Sequence, residues 1–505
     1  MTDWTRVPVV VGAGQHTNRV EDPLAAPDPF ELMVTAARRA AASALGDGRA
    51  GELLGGITHC YMVHSLSLRH GDPAQELAGR LGATHAEARV SGMGGNIPQW
   101  LVNRAAEQVA AGARPVVAVV GAEALATRRR AKRAGVKLDW PGDGGWPETW
   151  PPLEPDLGVH PAERAAGLEQ ATAMYALVET ALAHGAGRDL DANRSAVGDL
   201  MSRLNAVAAG NPYSWFAARR SAAEITTVTP DNRMIFHPYP KYVNAVMDVD
   251  MAAAAVVTDA QTARDWGLGP DDVVYVRGWA DASDIWYLSQ RPRVEHSAAL
   301  RAAAAAALQV SGLSLEDVDA FDLYSCFPSS VESAMEALGL GSEADDGRPL
   351  TLTGGLPYHG GPGSNYVTHA VANTFDWLRN GGGEHALVHG NGYYLTKHAV
   401  GVYSRRPPLE PPAPDGALQA RLDAAAEPVP IAPSLPGPAT VVAYTVPFDR
   451  DGATLPGMVL AQSDGRRVVA LADPSLTHAL VGADAVGARV VLEAQAEGPD
   501  QARLG

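Results

Sequence analysis

Residues 88–112 read ARVSGMGGNIPQWLVNRAAEQVAAG. The spacing predicts a short strand, a glycine-rich elbow and then an amphipathic helix. Chains built this way often carry a nucleophile on the elbow, where the helix N-terminus favours a developing anion. This elbow offers Ser91, Met93 and Asn96 but no cysteine.

The plan extends to both sides. Residues 7–11 read as a strand closed by Gly12 and Gly14, Pro29–Leu45 has helical spacing, and 57–65 is strand-like. Residues 114–121 (RPVVAVVG) form a nearly continuous apolar run, as in a strand covered on both faces. Strands alternating with helices predict a parallel α/β sheet. From 127 to 161 the pattern breaks into a basic run, RRRAKRAGVK, and a Trp-, Pro- and Gly-rich segment read as an ordered loop. Helical material follows over 161–209, then an aromatic- and His-rich stretch over 211–244, then a buried strand over Asp250–Asp259. Residues 273–404 repeat the first plan. Strands are expected at 273–279, 320–325 and 386–390, with helices at 296–310 and from the Gly-rich stretch 353–365 through 373. Cys60 and Cys326 fall at corresponding places in the two halves. The chain therefore reads as a duplicated α/β unit with a loop-rich insertion between the halves. The expected divisions are an N-terminal half over 1–126, a loop-rich insertion with the end of the first half over 127–249, and a C-terminal half over 250–406.

A Pro-rich linker spans 407–438. Strands at 439–449, 456–462, 467–471 and 488–494, with a helix at 474–481, then predict a small β-barrel of oligonucleotide-binding (OB) type over 439–505. That segment holds five Arg, no Lys and eight Asp plus Glu, a poor nucleic-acid surface.

Composition narrows the function. The chain has 505 residues and a formal net charge of −17, which argues against nucleic acid or anionic membrane as a partner. Two cysteines give no disulfide framework and no Cys-rich zinc site, and a reducing, cytoplasmic setting is expected. No signal-peptide pattern opens the chain, and no apolar run approaches the roughly 18–20 residues of a membrane span. His385 and His389 stand four apart. In a strand that spacing is about 13 Å, too far for one metal ion, so none is expected.

The elbow after Val90, DLYSCFP at 322–328, GGLPYHGGPGSN at 354–365 and VHGNG at 388–392 together resemble the thiolase superfamily. The resemblance is to the sterol-carrier-protein type and to thiolase-like proteins of type 1 with an additional C-terminal domain, which YTVPFDRDG at 444–452 resembles at its opening. It covers nearly the whole chain. It implies a thiolase-like α/β body, an OB-like barrel, and an acetyl-CoA acetyltransferase type of scaffold for an acyl-coenzyme A thioester or a lipid-like ligand. It also implies a monomer or homodimer with no covalently held cofactor.

Carried over residue by residue, the resemblance places the family's nucleophilic cysteine at or near Gly94. A thiolate suits that task because it attacks well and leaves well. The Asn-Glu-Ala-Phe or His-Asp-Cys-Phe element becomes Tyr324-Ser325-Cys326-Phe327, so Tyr324 is a candidate proton donor. The Gly-His-Pro element becomes Gly360-Gly361-Pro362, with His359 nearby. The Cys-x-Gly element becomes Val388-His389-Gly390, followed by Asn391, Tyr393 and Tyr394. Tyr324, His359, His389 and Asn391 are thus the catalytic candidates, since His is the commonest acid–base residue. Gly94 and Gly95 let backbone N–H groups approach a carbonyl oxygen. Arg128, Arg129, Arg130 and Lys132 are the candidates for coenzyme A phosphates, with Arg133 and Lys137 behind them and His237 and Lys241 expected in the same pocket. Cysteine-dependent thiolase chemistry is not expected. The open alternatives are carbon–carbon cleavage of the retro-aldol kind, thioester hydrolysis or transfer, and ligand binding without turnover.

Overall fold

The computed structural model describes residues 3–142, 144–341 and 347–505. Pro8–Thr17 runs straight through Gly12 and Gly14 instead of closing at them. A side chain at either glycine would run into the backbone of Pro29–Leu45 at Ala36 and Ala40. The glycines therefore let that helix lie directly on the strand.

Ten strands share one sheet. Its N-terminal part is ordered Pro8–Thr17, Asp250–Asp259, Val117–Ala124, His59–Met62, Glu87–Ser91, with Thr149–Trp150 at the edge. Its C-terminal part is ordered Val274–Ser283, Lys397–Ser404, His385–Gly392, Ala320–Asp322, with matching strand senses. The two parts meet where Val9 and Val10 pair with Tyr275 and Val274. The duplication is thus real, but Asp250–Asp259 sits among the N-terminal strands. The insertion consequently interrupts the first half and does not separate the halves. The two cysteines are not equivalent either. Cys60 lies within His59–Met62, whereas Cys326 lies beyond the end of the matching strand Ala320–Asp322.

Helices Ile97–Ala110 and Tyr366–Arg379 pack on each other and on strands of both halves. Pro29–Leu45 and Ala298–Ser311 cover the outer faces. Gln99 and Asn103 lie on the fully buried face of the elbow helix, so these polar side chains must find partners. Gln99 Nε2 donates to Asn103 Oδ1 at 2.8 Å, and Tyr403 Oη donates to Gln99 Oε1 at 2.8 Å. The basic run lies largely on the helix Leu125–Ala134.

The C-terminal strands close into a five-stranded barrel. The spatial order is Gly437–Pro447, Met458–Ser463, Arg466–Ala472, Gln501–Leu504, Arg489–Glu493, and the first strand also pairs with the last. With the third and fifth strands parallel and Pro474–Gly482 between the third and fourth, this is OB-like topology. Several contacts join the barrel to the body. Val446 and Pro447 pair with His237 and Phe236 of the insertion. Arg467, 3 % exposed, donates to the carbonyls of Ser289 and Pro292 at 3.0 and 2.8 Å. The Pro-rich run before it contains the helix Leu418–Ala425, which packs on Ala298–Ser311. No described helix is long and apolar enough to cross a membrane.

Candidate active site

The elbow follows the carboxyl end of Glu87–Ser91, beside the carboxyl end of its parallel neighbour His59–Met62. Ligands of α/β sheets gather at such strand ends. Ser91 is fully buried; its Oγ accepts from His64 N at 3.0 Å and donates to Gly92 O at 2.8 Å. No imidazole contacts it as a base. Gly94 has φ +138°, a conformation that favours glycine, and its N–H donates to Ser364 Oγ at 3.1 Å. At Gly95 a side-chain carbon would overlap the Tyr324 phenol. Tyr324 therefore occupies the space above the elbow. Burial pushes its pKa well above the usual range, so it stays protonated.

The Gly-rich stretch reaches the elbow through Ser364. His359 stands further back. Its ring meets Tyr366 at 5.9 Å and His369 at 5.0 Å, and Tyr366 in turn meets Tyr324 edge to face at 5.8 Å. Burial pushes His359 down to about 4, and its Nε2 has no partner.

The strand His385–Gly392 presents Gly390 and Gly392 to the elbow. A Cβ on Gly390 would lie 2.8 Å from Asn96 Cα. Strand alternation turns His389 and Asn391 to the opposite face. His389 Nε2 is paired with His398 Nδ1 at 3.1 Å, and His398 Nε2 with Ser297 Oγ at 3.0 Å. Asn391 Nδ2 donates to Tyr175 Oη at 2.8 Å and Ser330 Oγ at 3.2 Å. The structure therefore brings Tyr324, Gly94 and Gly95 together and places His389 and Asn391 behind the strand. The sequence motif shows adjacency to Gly390, but adjacent strand residues face opposite ways. Neither cysteine lies on the elbow itself. Burial pushes both thiols up to about 12, and Cys326 lies against Tyr175 and Ser330. Among the described residues, no group of three or more His, Cys, Asp or Glu side chains could hold a metal.

The basic helix borders a groove of 580 Å³ lined by Arg69, Arg128, Arg129, Lys132, Lys137 and Trp140. Arg130 is not among its walls. It turns inward to the fully buried Asp250, with Nη2 donating to Oδ2 at 2.7 Å, while Thr127 N and Oγ1 donate to the same carboxylate. His237 and Lys241 lie elsewhere. His237 lines a separate cavity, and Lys241 Nζ donates to Asp231 O at 3.2 Å. Groove and elbow are linked by side chains that the sequence reading passed over. The Arg69 guanidinium lies 3.4 Å over the Trp146 ring, Trp146 stacks on His64, and His64 N bonds Ser91. The available signal was position, since His64 follows the strand end beside the elbow strand. Glu123, fully buried, holds this region by accepting from Leu66 N and Ser67 N at 2.7 and 2.9 Å. Burial pushes its pKa up.

Comparison with known proteins places this architecture. A monomeric SCP2-thiolase-like protein type 1 from Mycobacterium smegmatis superposes with a TM-score of 0.84 at 32% identity, covering 100% of both chains. The chain belongs to the thiolase-like protein type 1 family. A family model for the additional C-terminal domain of these proteins matches residues 417–497, which takes in Leu418–Ala425 and stops short of the last barrel strand. The thiolase body has wider likenesses in fold. Human mitochondrial 3-ketoacyl-CoA thiolase, solved in complex with CoA, gives a TM-score of 0.54 at 15% identity over 79% of this chain and 98% of its own. The Ltp2–ChsH2(DUF35) aldolase gives 0.57 at 19% identity over 79% and 98%. A 99-residue stretch is 28% identical to the acetyl-CoA acetyltransferase of Methanocaldococcus jannaschii, spanning 20% of this chain and only 25% of that protein.

Proposed function

We propose that this family member binds an acyl-coenzyme A ester and acts on it, if at all, without a covalent cysteine intermediate. The observation that carries this reading is the groove with five cationic residues on its wall, linked through Arg69, Trp146 and His64 to the elbow. Cations suit the phosphates of the carrier, and Trp140 offers a flat apolar face to its adenine. The pantetheine arm would follow the Arg69–Trp146–His64 path, with the thioester oxygen toward the elbow amides. The Mycobacterium smegmatis relative is described as monomeric, and a monomer is the state proposed here. Thermal denaturation with free coenzyme A, acetyl-coenzyme A and longer acyl esters tests the reading. Ligand at about 100 times its Kd adds roughly 2.7 kcal/mol of stability. No shift with any of them would refute it.

One observation favours a particular chemistry. The protonated Tyr324 phenol abuts the elbow where no thiol is present. That suits cleavage of a 3-hydroxyacyl ester. A base takes the hydroxyl proton, the bond between the α and β carbons breaks to leave a carbonyl compound, and the thioester enolate takes a proton from Tyr324. His64, held neutral by burial and Arg69, is the base proposed at this end of the sheet. Turnover of 3-hydroxyacyl esters should give a carbonyl product and fall at least 100-fold in Tyr324→Phe. Release of free thiol without a carbonyl product would favour hydrolysis, and binding without turnover would favour a carrier role.

A further inference from the structure

A second cavity, of 480 Å³, opens between the barrel and the insertion, away from the groove residues. Leu190, Val197, Val228, Met234 and Pro238 of the insertion and Val481 of the barrel give it apolar walls. Its size is that of a pocket for a small organic molecule. Four charged residues stand at its wall, and each is already engaged. Arg188 pairs with Glu332, Arg194 with Asp191 at 2.6 Å, and Asp484 with His184 at 2.7 Å. Asp189 accepts from Ala192 N at 2.8 Å as a helix cap. An anionic ligand would thus find both arginines already paired. Two neutral polar side chains on the wall differ. His237 and Asn193 are 8 and 4 % exposed, and His237 Nε2 and Asn193 Oδ1 have no hydrogen-bond partner. Buried polar atoms are nearly always satisfied, so two orphans on one wall need an explanation. The barrel is what encloses the space. Tyr444 lies parallel to His237 with ring centroids 6.1 Å apart, Tyr444 N is held by Thr180 Oγ1 at 3.1 Å, and Thr445 Oγ1 bonds His237 O at 2.9 Å.

We propose that the cavity between barrel and insertion is a second ligand site, for an uncharged, mainly apolar small molecule bearing a hydroxyl or carbonyl group. The hydrogen-bonding group of the ligand completes His237 or Asn193, and its apolar body covers Val197, Val228 and Met234. Burial holds the His237 imidazole neutral at ordinary pH, which fits an uncharged partner. This site is independent of the coenzyme A reading and gives the additional domain a role as the wall of a pocket.

The test uses the full chain and the uncharged dye Nile red, whose fluorescence rises in apolar surroundings. Saturable binding is expected. Val228 is 53 % exposed at the rim, so Val228→Trp blocks the entrance without disturbing the core. It should weaken dye binding at least tenfold, and His237→Phe should weaken it several-fold, while Arg128→Glu in the groove leaves it unchanged. Dodecanol should displace the dye and dodecanoate should not. No saturable binding, or binding indifferent to Val228→Trp, overturns the site. Equal displacement by dodecanoate overturns its assignment to uncharged ligands.

Discussion

In the basic groove, side chains reach outward; at the elbow they are absent or turned away. Arg128, Lys132 and Lys137 line an open trough. A few side chains further on, Gly94 and Gly95 carry no functional group, Ser91 is committed to backbone partners, and Tyr324 fills the space above. Holding an anionic carrier needs positive charge near solvent. Breaking a bond in its acyl part needs reactive groups in a closed site. The two tasks use different physical means, so one end of such a scaffold can change without the other. On the proposed reading the recognition end is well furnished, and the elbow itself carries no thiol.

The largest expected effect separates the two faces of the basic helix. Arg130→Ala leaves the buried Asp250 carboxylate without its cation. Losing one partner of such a pair costs about 3 kcal/mol. Urea denaturation should show that loss, with coenzyme A affinity unchanged because Arg130 is not a wall of the groove. A large affinity change would break the division drawn here.

Acid should act on the buried centre. The His359 imidazole is held down to about 4 when folded, against about 6.5 when exposed. The unfolded chain therefore binds a proton in this window that the folded chain does not. Stability contributed by the neutral imidazole is complete above pH 6.5 and declines as pH falls toward 4, by about 3 kcal/mol at the lower end. In His359→Gln the slope of stability between pH 6.5 and 4.5 should be shallower by about one proton. An unchanged slope would mean that His359 is reached by solvent.

At the elbow itself, Gly95→Ala forces a methyl group into the Tyr324 ring. Overpacking of this kind costs about 2 kcal/mol. Tyr324→Ala in the same chain should recover most of that loss, giving a coupling energy that a double-mutant cycle reads directly. Additive losses would show that the ring moves aside, and that the elbow is more open than its geometry indicates.

Much of this was legible in the sequence, for identifiable reasons. Pro29–Leu45 and Asp250–Asp259 fall at the bounds their patterns predict, because a strong helical period and a fully apolar strand leave little ambiguity. The barrel was readable from short strands at even spacing. The place of Asp250–Asp259 was not, because strand neighbours are set by pairing across the sheet and not by order in the chain. The basic run forms a helix because a few small buried positions, Ala126, Thr127 and Ala131, seat it against the body. At the site, motif adjacency drew in the glycines and Tyr324, which lie together at the elbow, and also His389 and Asn391. Only the pleat decides that Gly390 and Gly392 face the elbow while those two do not. His64 lies outside every motif and Ser364 near the end of the Gly-rich one; tertiary contact alone brings them to Ser91 and Gly94.

The smallest expected effect bears most directly on function. Arg128 and Lys132 are exposed on the wall of the groove, and neither forms an ion pair among the described residues. If phosphates lie there, each contributes a charge-assisted bond of about 1.5 kcal/mol, or roughly tenfold in affinity. Replacing either by Glu should weaken coenzyme A binding about tenfold or more while leaving the urea midpoint nearly in place. Both side chains are exposed and, among the described residues, the only hydrogen bond either makes to the fold is that of Arg128 to Leu66 O. Arg129→Glu should do less to binding, because Arg129 already spends part of its charge on Asp248. Raising the salt concentration should weaken wild-type binding and flatten the difference among the three variants, as expected for exposed charges. Dephospho-coenzyme A, which lacks the 3′-phosphate, should bind more weakly to the wild type and lose less on the Arg128 and Lys132 substitutions. Binding that ignores salt, the 3′-phosphate and both substitutions would place the carrier elsewhere. The groove would then be an ordinary solvated face, and the contrast between an equipped recognition end and an unequipped reactive end would fail at its stronger side.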